Sequence, residues 1–225
     1  MRVSDRYIDL SHTIEQGMIT FKGLPGPLIC DFLSREASRK NYTGGAEFQI
    51  GRIDMVSNTG TYVDCPFHRY ADGKDLSETV LQRFVDLPGA VVRVPHRERI
   101  EIGAEDFHRI DVRGRAVLVH TGWDQHWRTG SYFDNHPFLT EAAAEYLRAR
   151  GAVLVGIDSH NIDDTRSRNA RPVHSILLRH EILIVEHLRG LDALPQSSFQ
   201  FSAVPPRIKG VGTFPVRAYA KCGAA

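Results

Sequence analysis

The sequence predicts a single α/β domain with a mixed sheet or an open barrel at its centre. Short apolar runs rich in β-branched residues outnumber the helical patterns, and one clear helix lies between two such runs. The chain has 225 residues, which is near the upper limit for one domain. Because it contains no internal repeat, low-complexity tract or long linker, we expect one domain over residues 1–225.

Alternating or continuous apolar patterns predict the strands, and helix start and stop signals predict the helices. Strands are expected at 7–12, 48–55, 90–95, 116–120, 152–158 and 182–186. A helix is expected over 141–150, because Thr140 can cap its first turn and Gly151 can end it. A second, shorter helix is expected over 174–180, and a Gly/Pro-rich loop occupies 23–27.

The charge and the composition exclude several classes of protein. Lys and Arg total 28 against 27 Asp and Glu, a net charge of +1, so we expect neither nucleic acid nor a membrane as partner. No apolar run approaches the ~18 residues that span a bilayer, and the N-terminus lacks the apolar stretch of a signal peptide. The odd number of cysteines (Cys30, Cys65 and Cys222) also favours a cytoplasmic protein.

The first candidate site is the loop over 58–68. Gly60 and Pro66 shape this loop, and Asp64 and His68 project from it four residues apart. A carboxylate beside an imidazole can form an acid–base pair or part of a metal site. The alternative is an Asx turn followed by a surface histidine.

Two further places carry potential ligands. The segment 158–164 follows a predicted buried strand, where sites of α/β proteins are common, although a solvated acidic loop is an equal alternative. His174 begins a predicted helix, and Glu186 ends an apolar strand. A buried lone carboxylate is costly, so Glu186 needs either a metal or a cation such as Arg189 as its partner.

The remaining histidines give weaker signals. His126 and His136 flank aromatic or proline residues, which favours packing, whereas His96, His108, His180 and His187 lie among charged residues and are expected in solvent. The sequence has no Gly-x-Ser-x-Gly elbow, phosphate loop or dinucleotide fingerprint. We therefore expect no organic cofactor.

The loop over 58–68 resembles the His-x-Gly-Thr-His-x-Asp-x-Pro-x-His motif of the cyclase family of metal-dependent hydrolases, which includes kynurenine formamidase (arylformamidase) and isatin hydrolase. The matching positions are Gly60, Thr61, Asp64, Pro66 and His68. The resemblance continues through 121–123, 156–158, 172–178, 184–188 and 215–218, nearly the whole chain. It implies a β/β/α arrangement around a barrel-like sheet, assembled as a homodimer or homotetramer.

The resemblance also assigns roles to individual residues. Asp64, His174 and Glu186 fall on metal-ligand positions of the family, and His68 falls on its acid–base histidine. Two further ligand histidines are replaced by Asn58 and Tyr62, and an amide and a phenol are poor ligands beside imidazole. We therefore expect at most one divalent ion (zinc, manganese or magnesium) and no two-metal site.

The resemblance implies a hydrolase that acts on the C–N bond of a small cyclic or aromatic amide, or on a lactone. The model reaction is hydrolysis of N-formylkynurenine to kynurenine and formate, a step of tryptophan catabolism, with a metal-activated water and His68 as acid and base. Phe21, Phe67 and Trp123 are candidates for contacting the substrate, and each also fits ordinary core packing.

Two alternatives remain open at this point. The first is a metal-independent lyase, isomerase or cyclase, in which His68 and Asp64 form the acid–base pair and Tyr62 donates a proton or binds an oxyanion. The second is a non-catalytic relative that keeps the pocket for ligand binding. Stoichiometric metal in the purified protein, and the effect of a chelator on hydrolysis, would separate these hypotheses.

Overall fold

A curled nine-stranded mixed sheet forms the centre of the computed structural model, which describes residues 6–166 and 170–223. The nine strands are β1 (Arg6–Asp9), β4 (Tyr62–Asp64), β5 (Leu87–Arg93), β7 (Ala116–His120), β9 (Leu154–Ile157), β10 (Leu183–Glu186), β11 (Phe199–Ser202), β12 (Thr213–Pro215) and β13 (Tyr219–Cys222). Their order across the sheet is β1-β13-β11-β5-β7-β9-β10-β4-β12, and β5, β7, β9 and β10 are parallel to one another. The predicted α/β class with a mixed, barrel-like sheet is confirmed.

The remaining elements lie around this sheet. Two short pairs of strands are separate from it: β2 (Leu28–Leu33) with β3 (Ile50–Asp54), and β6 (Glu101–Ile102) with β8 (Phe138–Leu139). The α-helices are α1 (Arg35–Ser38), α2 (Glu141–Arg150) and α3 (Pro172–Arg179). None of the described helices has the length and the apolar character needed to cross a membrane.

Local signals explain the helix that packs against the sheet. The Thr140 hydroxyl accepts a hydrogen bond from the Ala143 amide, and Gly151 ends α2 in the left-handed conformation at φ 79°. The inner face of α2 is fully buried and contains Ala143, Ala144 and Leu147. The predicted helix over 141–150 therefore has the predicted bounds.

The sheet separates two apolar clusters. One contains Leu118, Val185 and Phe201, and the other lies between the sheet and the helices α2 and α3, with Val119 and Leu177 among its buried residues. The two faces of the parallel strands are both covered, which is why these strands read as continuous apolar runs. Polar side chains at the ends of these strands are consequently also drawn into the protein.

The β2–β3 hairpin differs from the prediction. The alternating pattern over 48–55 predicted a half-buried strand, but every residue of β3 is exposed, because the strand pairs with β2 alone and leaves the sheet. Phe32 is 75% exposed and Ile53 is 61% exposed. The hairpin is thus an arm with apolar side chains in solvent.

Candidate active site

The register between neighbouring strands brings four polar side chains together. Glu186 lies opposite Tyr62 in the antiparallel pair of β10 and β4, and Thr213 on β12 lies opposite Asp64 on the other side of β4. All four are buried. The site is therefore built on rigid strands of the sheet, with α3 supplying His174 beside them.

Glu186 is fully buried and satisfied by polar groups of the neighbouring segments. The Tyr62 hydroxyl donates to its Oε2 at 2.5 Å, the Ile162 amide donates to Oε1 at 2.7 Å, and Asn161 Nδ2 donates to Oε2 at 3.3 Å. These groups, and not the guanidinium of Arg189, are its hydrogen-bond partners.

His174 is held in one orientation by Asp163. The Asp163 carboxylate accepts the Val173 and His174 amides at the start of α3, and its Oδ2 lies 2.6 Å from His174 Nδ1. Because Nδ1 donates this hydrogen bond, Nε2 is the nitrogen left to bind a metal. His174 Nε2 lies 3.8 Å from Asp64 Oδ2 and 3.7 Å from Glu186 Oε1.

Asp64 and His68 share the hydroxyl of Thr213. This hydroxyl donates to Asp64 Oδ1 and lies 2.8 Å from His68 Nδ1. Since its single proton goes to the carboxylate, His68 Nδ1 must be the donor to the Thr213 oxygen. His68 Nε2 is then unprotonated in the neutral ring, which is the state of a general base.

The residues present fit a divalent ion. Asp64, His68 and His174 offer ligand atoms that lie within 4.8 Å of one another. Asp64 Oδ2 is buried without a hydrogen-bond partner among the described residues, and a buried orphan carboxylate oxygen is the position that a cation would fill. Two ligands at ~2.0–2.2 Å from zinc stand a little over 3 Å apart, so the 3.7–3.8 Å spacings around His174 need only a small contraction.

Asn58 and Tyr62 add no imidazole to this set. Both side chains border the same cavity as His174, and the Tyr62 hydroxyl is already bonded to Glu186. Burial first, and then the charge of Glu186, raise the pKa of Tyr62 well above its ordinary value. Tyr62 therefore stays a neutral phenol, which acts as a hydrogen-bond donor and is a poor metal ligand.

The ionisable groups of the site shift each other's pKa. Burial lowers the pKa of His174, but the hydrogen bond to Asp163, the nearby Asp64 carboxylate and the charge of Glu186 outweigh it and raise the pKa to about 10. Burial raises the pKa of Glu186 to about 7 although the charge of His174 opposes it. Burial also raises the pKa of Asp64, but the charge of His68, the proximity of His174 and the hydrogen bond from Thr213 bring it below its ordinary value. In the metal-free protein a protonated His174 supplies the positive charge that these carboxylates need.

A cavity of about 530 Å³ opens in front of these groups. His68, whose side chain is 33% exposed, faces it together with Tyr62 and His174. The other lining residues are Phe21, Leu24, Asn58, Arg69, Asn161, Ala170 and Arg171. This volume suits a small organic molecule.

The three aromatic candidates for substrate contact are placed differently. Phe21 lines the cavity. Phe67 packs instead against the apolar cluster below the 66–68 turn. Trp123 is buried, donates its indole N–H to the Tyr132 carbonyl and contacts His96. Phe67 and Trp123 are not among the residues that line the cavity.

The segment 158–164 is a buried part of the site and not a solvated loop. Asp158 is fully buried and accepts hydrogen bonds from the amide and hydroxyl of Thr121 and from the Gly122 amide. Burial raises its pKa to about 7. The same segment supplies Asn161 and Asp163, which hold Glu186 and His174.

His187 was expected in solvent, and this expectation is wrong. Its side chain is fully buried, and the hydroxyl of Tyr132 lies 2.7 Å from its Nδ1. The ring packs among Tyr62, Trp127 and His160. Because β10 continues directly into the protein interior, the residue after Glu186 is also enclosed.

The sequence of this chain matches a known protein family. A family model named Cyclase matches residues 8–164, more than half of the chain and including the 58–68 motif. The chain belongs to the cyclase family.

Relatives and solved structures are similar over nearly the whole chain. The kynurenine formamidase of Geobacillus thermodenitrificans (strain NG80-2) is 28% identical over 214 residues, which cover 94% of this chain and 95% of that protein. The kynurenine formamidase of Bacillus anthracis is 26% identical over 217 residues, 96% of this chain and 97% of that protein.

Among solved structures, a potential metal-dependent hydrolase with cyclase activity is 25% identical, with a TM-score of 0.78, and the match covers 97% of this chain and 98% of that one. Isatin hydrolase A from Labrenzia aggregata has a TM-score of 0.83 at 22% identity, and the match covers 97% of this chain and 94% of that one. Because the identity is only 22%, the similarity to isatin hydrolase A shows that the two proteins share a fold and nothing further.

Proposed function

We propose that this protein is a hydrolase of small aromatic amides, similar in reaction to arylformamidase. The observation that carries the proposal is the unpartnered Asp64 Oδ2 beside the oriented His174 Nε2, with His68 facing the same cavity. Membership of the cyclase family and the similarity to kynurenine formamidases support it. An aromatic formamide is accordingly the first substrate to test, and small lactones are the second.

Asp64, His174 and Glu186 would hold one divalent ion, which supplies a Lewis acid and an activated water when it is bound. His68 accepts a proton from the attacking water through Nε2 and returns it to the departing amine nitrogen. Thr213 keeps the ring in the tautomer that this step requires. The catalytic contribution of Tyr62 is to hold Glu186 and to offer its hydroxyl at the cavity wall.

A metal-independent acid–base reaction is the second candidate. It is favoured by one observation. The Thr213 hydroxyl connects the Asp64 carboxylate to the His68 ring through two hydrogen bonds, and this connection needs no ion. Such a relay would serve a lyase, an isomerase or a cyclase, with Tyr62 as proton donor. The non-catalytic alternative has no comparable support, because binding alone does not need an oriented His68.

The deciding experiment is elemental analysis of protein purified without a metal affinity step, followed by assays with formanilide and N-formylkynurenine. We expect about one zinc, manganese or magnesium ion per chain, and hydrolysis that a chelator abolishes and added metal restores. Hydrolysis that survives complete metal removal would select the acid–base candidate. Retained metal without hydrolysis of any amide or lactone would remove the proposal.

We further propose that the protein works in the cytoplasm as a homodimer or homotetramer. The cysteines Cys30, Cys65 and Cys222 are all free, which suits a reducing compartment. A hairpin of two strands is marginal in water when it stands alone, and the β2–β3 arm exposes Phe32 and Ile53. A second copy covering the arm would stabilise it.

A further inference from the structure

Two arginines border the cavity that contains His68 and His174. Arg69 follows His68 directly, and its Nε donates to Ser175 Oγ of α3 at 3.2 Å. Arg171 precedes α3 and reaches the same cavity. The two guanidinium groups therefore stand at the rim of the space in front of the candidate catalytic side chains.

The backbone and its contacts fix the position of Arg171. Its φ of 50° lies in the left-handed region, which is uncommon for residues other than glycine and is often found at functional sites. Its Nη1 donates to the Asp164 carbonyl. Such an anchored side chain loses little additional entropy when it binds a ligand.

The buried carboxylates of the site form their hydrogen bonds with groups other than these two arginines. Asp163 is bonded to His174, and Glu186 is bonded to Tyr62 and to the Ile162 amide. Asp64 is bonded to Thr213. The carboxylates on the cavity floor therefore have other partners than the two arginines, and the Asp164 carboxylate next to Arg171 pairs with Arg166.

The cavity also has apolar lining residues. Phe21 and Leu24 from the 21–24 loop line it, and Phe21 is positioned by a ring contact to His160 at 4.8 Å. An aromatic face beside guanidinium groups is complementary to an aromatic ring that carries a carboxylate, because arginine binds carboxylates through two parallel hydrogen bonds.

We propose that the substrate is an anionic aromatic amide whose carboxylate is bound by Arg69 and Arg171 while its ring packs on Phe21. This inference rests on the proposed amide hydrolysis and names its substrate class. Arg69 and His68 line the same cavity, so the test compounds carry the carboxylate on the ring carbon next to the amide. A ring without an anionic group cannot form a charge-assisted hydrogen bond with either arginine.

The first test measures binding, which does not depend on turnover. The fluorescent product analogue 2-aminobenzoate and neutral aniline are titrated into the wild-type protein, Arg69→Ala, Arg171→Ala and Arg69→Lys. We expect each Arg→Ala change to weaken binding of 2-aminobenzoate about 10- to 100-fold, the effect of losing a hydrogen bond between charged groups, and to leave aniline unaffected. Arg69→Lys should recover part of the loss, since lysine keeps the charge but not the paired geometry.

Arg179→Ala is the matched control. Arg179 is the last residue of α3 and contacts the Tyr70 ring as Arg69 does, but it pairs with Asp72 outside the cavity. Its loss changes the same surface by one charge and should not alter binding of 2-aminobenzoate. Thermal unfolding of each variant verifies that it is folded.

The second test compares kcat/KM for 2-formamidobenzoate and formanilide. Arg69→Ala should lower kcat/KM about 10- to 100-fold for the anionic amide only. Equal loss for both amides, or equal binding of 2-aminobenzoate and aniline by the wild-type protein, overturns the inference. If neither amide is hydrolysed but the preference for 2-aminobenzoate depends on Arg69, the proposed reaction fails and the anion site stands.

Discussion

The Tyr62 hydroxyl donates a hydrogen bond to the Glu186 carboxylate across the pair of strands β4 and β10, at 2.5 Å. Tyr62 stands where the motif of the cyclase family has a metal-binding histidine, so a hydrogen bond replaces a ligand at this position. The exchange keeps Glu186 oriented toward His174. It also removes a nitrogen donor, which supports the proposal of a single ion.

Restoring the family histidines should change the number of metal ions. In the double variant Asn58→His with Tyr62→His, two imidazoles enter the wall of the cavity, and the site gains the donors that bind zinc tightly. We expect elemental analysis to show a rise from about one ion per chain toward two, the number in paired-metal sites. Tyr62→Phe is the control, because it removes the hydroxyl without adding a ligand. An unchanged ion count in the double variant contradicts this prediction.

Asp163→Asn should weaken metal binding without altering any proposed ligand. Asp163 Oδ2 orients the His174 ring through Nδ1, and the loss of such a supporting carboxylate costs about 10- to 100-fold in metal affinity or activity. A chelator competition assay measures the affinity directly. Since Asp163 also accepts the Val173 amide at the start of α3, thermal unfolding of the metal-free variant separates the loss of the helix cap from the loss of metal.

The oligomeric state should depend on the arm. Phe32→Asp places a charge on the β2–β3 hairpin, and we expect light scattering to show a shift toward monomer because a buried unpaired charge is costly at an interface. Val80→Asp is a suitable control, since Val80 is also an exposed apolar residue but lies outside the arm. An assembly that both variants leave unchanged would mean that the arm is not the interface.

Elements with local signals could be predicted from the sequence, and sites assembled from distant segments could not. Helix α2 has the bounds that Thr140 and Gly151 indicate, because capping depends on residues within one turn. The supporting role of Thr213 had no such signal. It lies 149 residues from Asp64 and meets it only because β12 pairs with β4.

The errors have the same cause. His187 was expected in solvent from its charged neighbours in the sequence, but burial is decided by where β10 ends inside the protein. The strand over 48–55 has an apolar alternation that normally indicates one buried face, yet β3 pairs only with β2. An exposed alternating strand looks the same in the sequence as a half-buried one, and only the neighbouring surface distinguishes them.

Acid should destabilise the protein through His160. This histidine is 3% exposed, and burial followed by the charges of His136, Lys22 and Arg171 lowers its pKa to about 3. The unfolded chain takes up a proton near pH 6.5 while the folded chain does not, so the free energy of unfolding falls as pH decreases from about 6.5 to 3. The slope from one such histidine is about 1.4 kcal/mol per pH unit.

The measurement compares urea unfolding of the wild-type protein and of His160→Gln between about pH 4.5 and pH 7. This range lies within ~2 units of the ordinary histidine pKa, where the unfolded chain takes up the proton. The stability advantage of the wild-type protein should shrink toward low pH, because glutamine does not titrate. Phe133→Leu is the control, since the Phe133 ring packs 5.2 Å from His160 and its truncation changes packing by the same amount at every pH. If the free energy of unfolding of His160→Gln depends on pH in the same way as that of the wild-type protein, the protonation of His160 does not cause the loss of stability in acid.

His68→Ala should separate catalysis from metal binding. If His68 transfers the proton and Asp64, His174 and Glu186 hold the ion, the variant keeps its metal while kcat falls about 10²- to 10⁴-fold, the contribution of a positioned acid–base group. Thr213→Val tests the tautomer, because it removes the hydroxyl that accepts from His68 Nδ1 and donates to Asp64. We expect a smaller loss of kcat in this variant and a displaced pH–rate profile. Asp64→Ala should lose metal and activity together, and a His68→Ala protein that is folded and fully active would falsify the proton-transfer role.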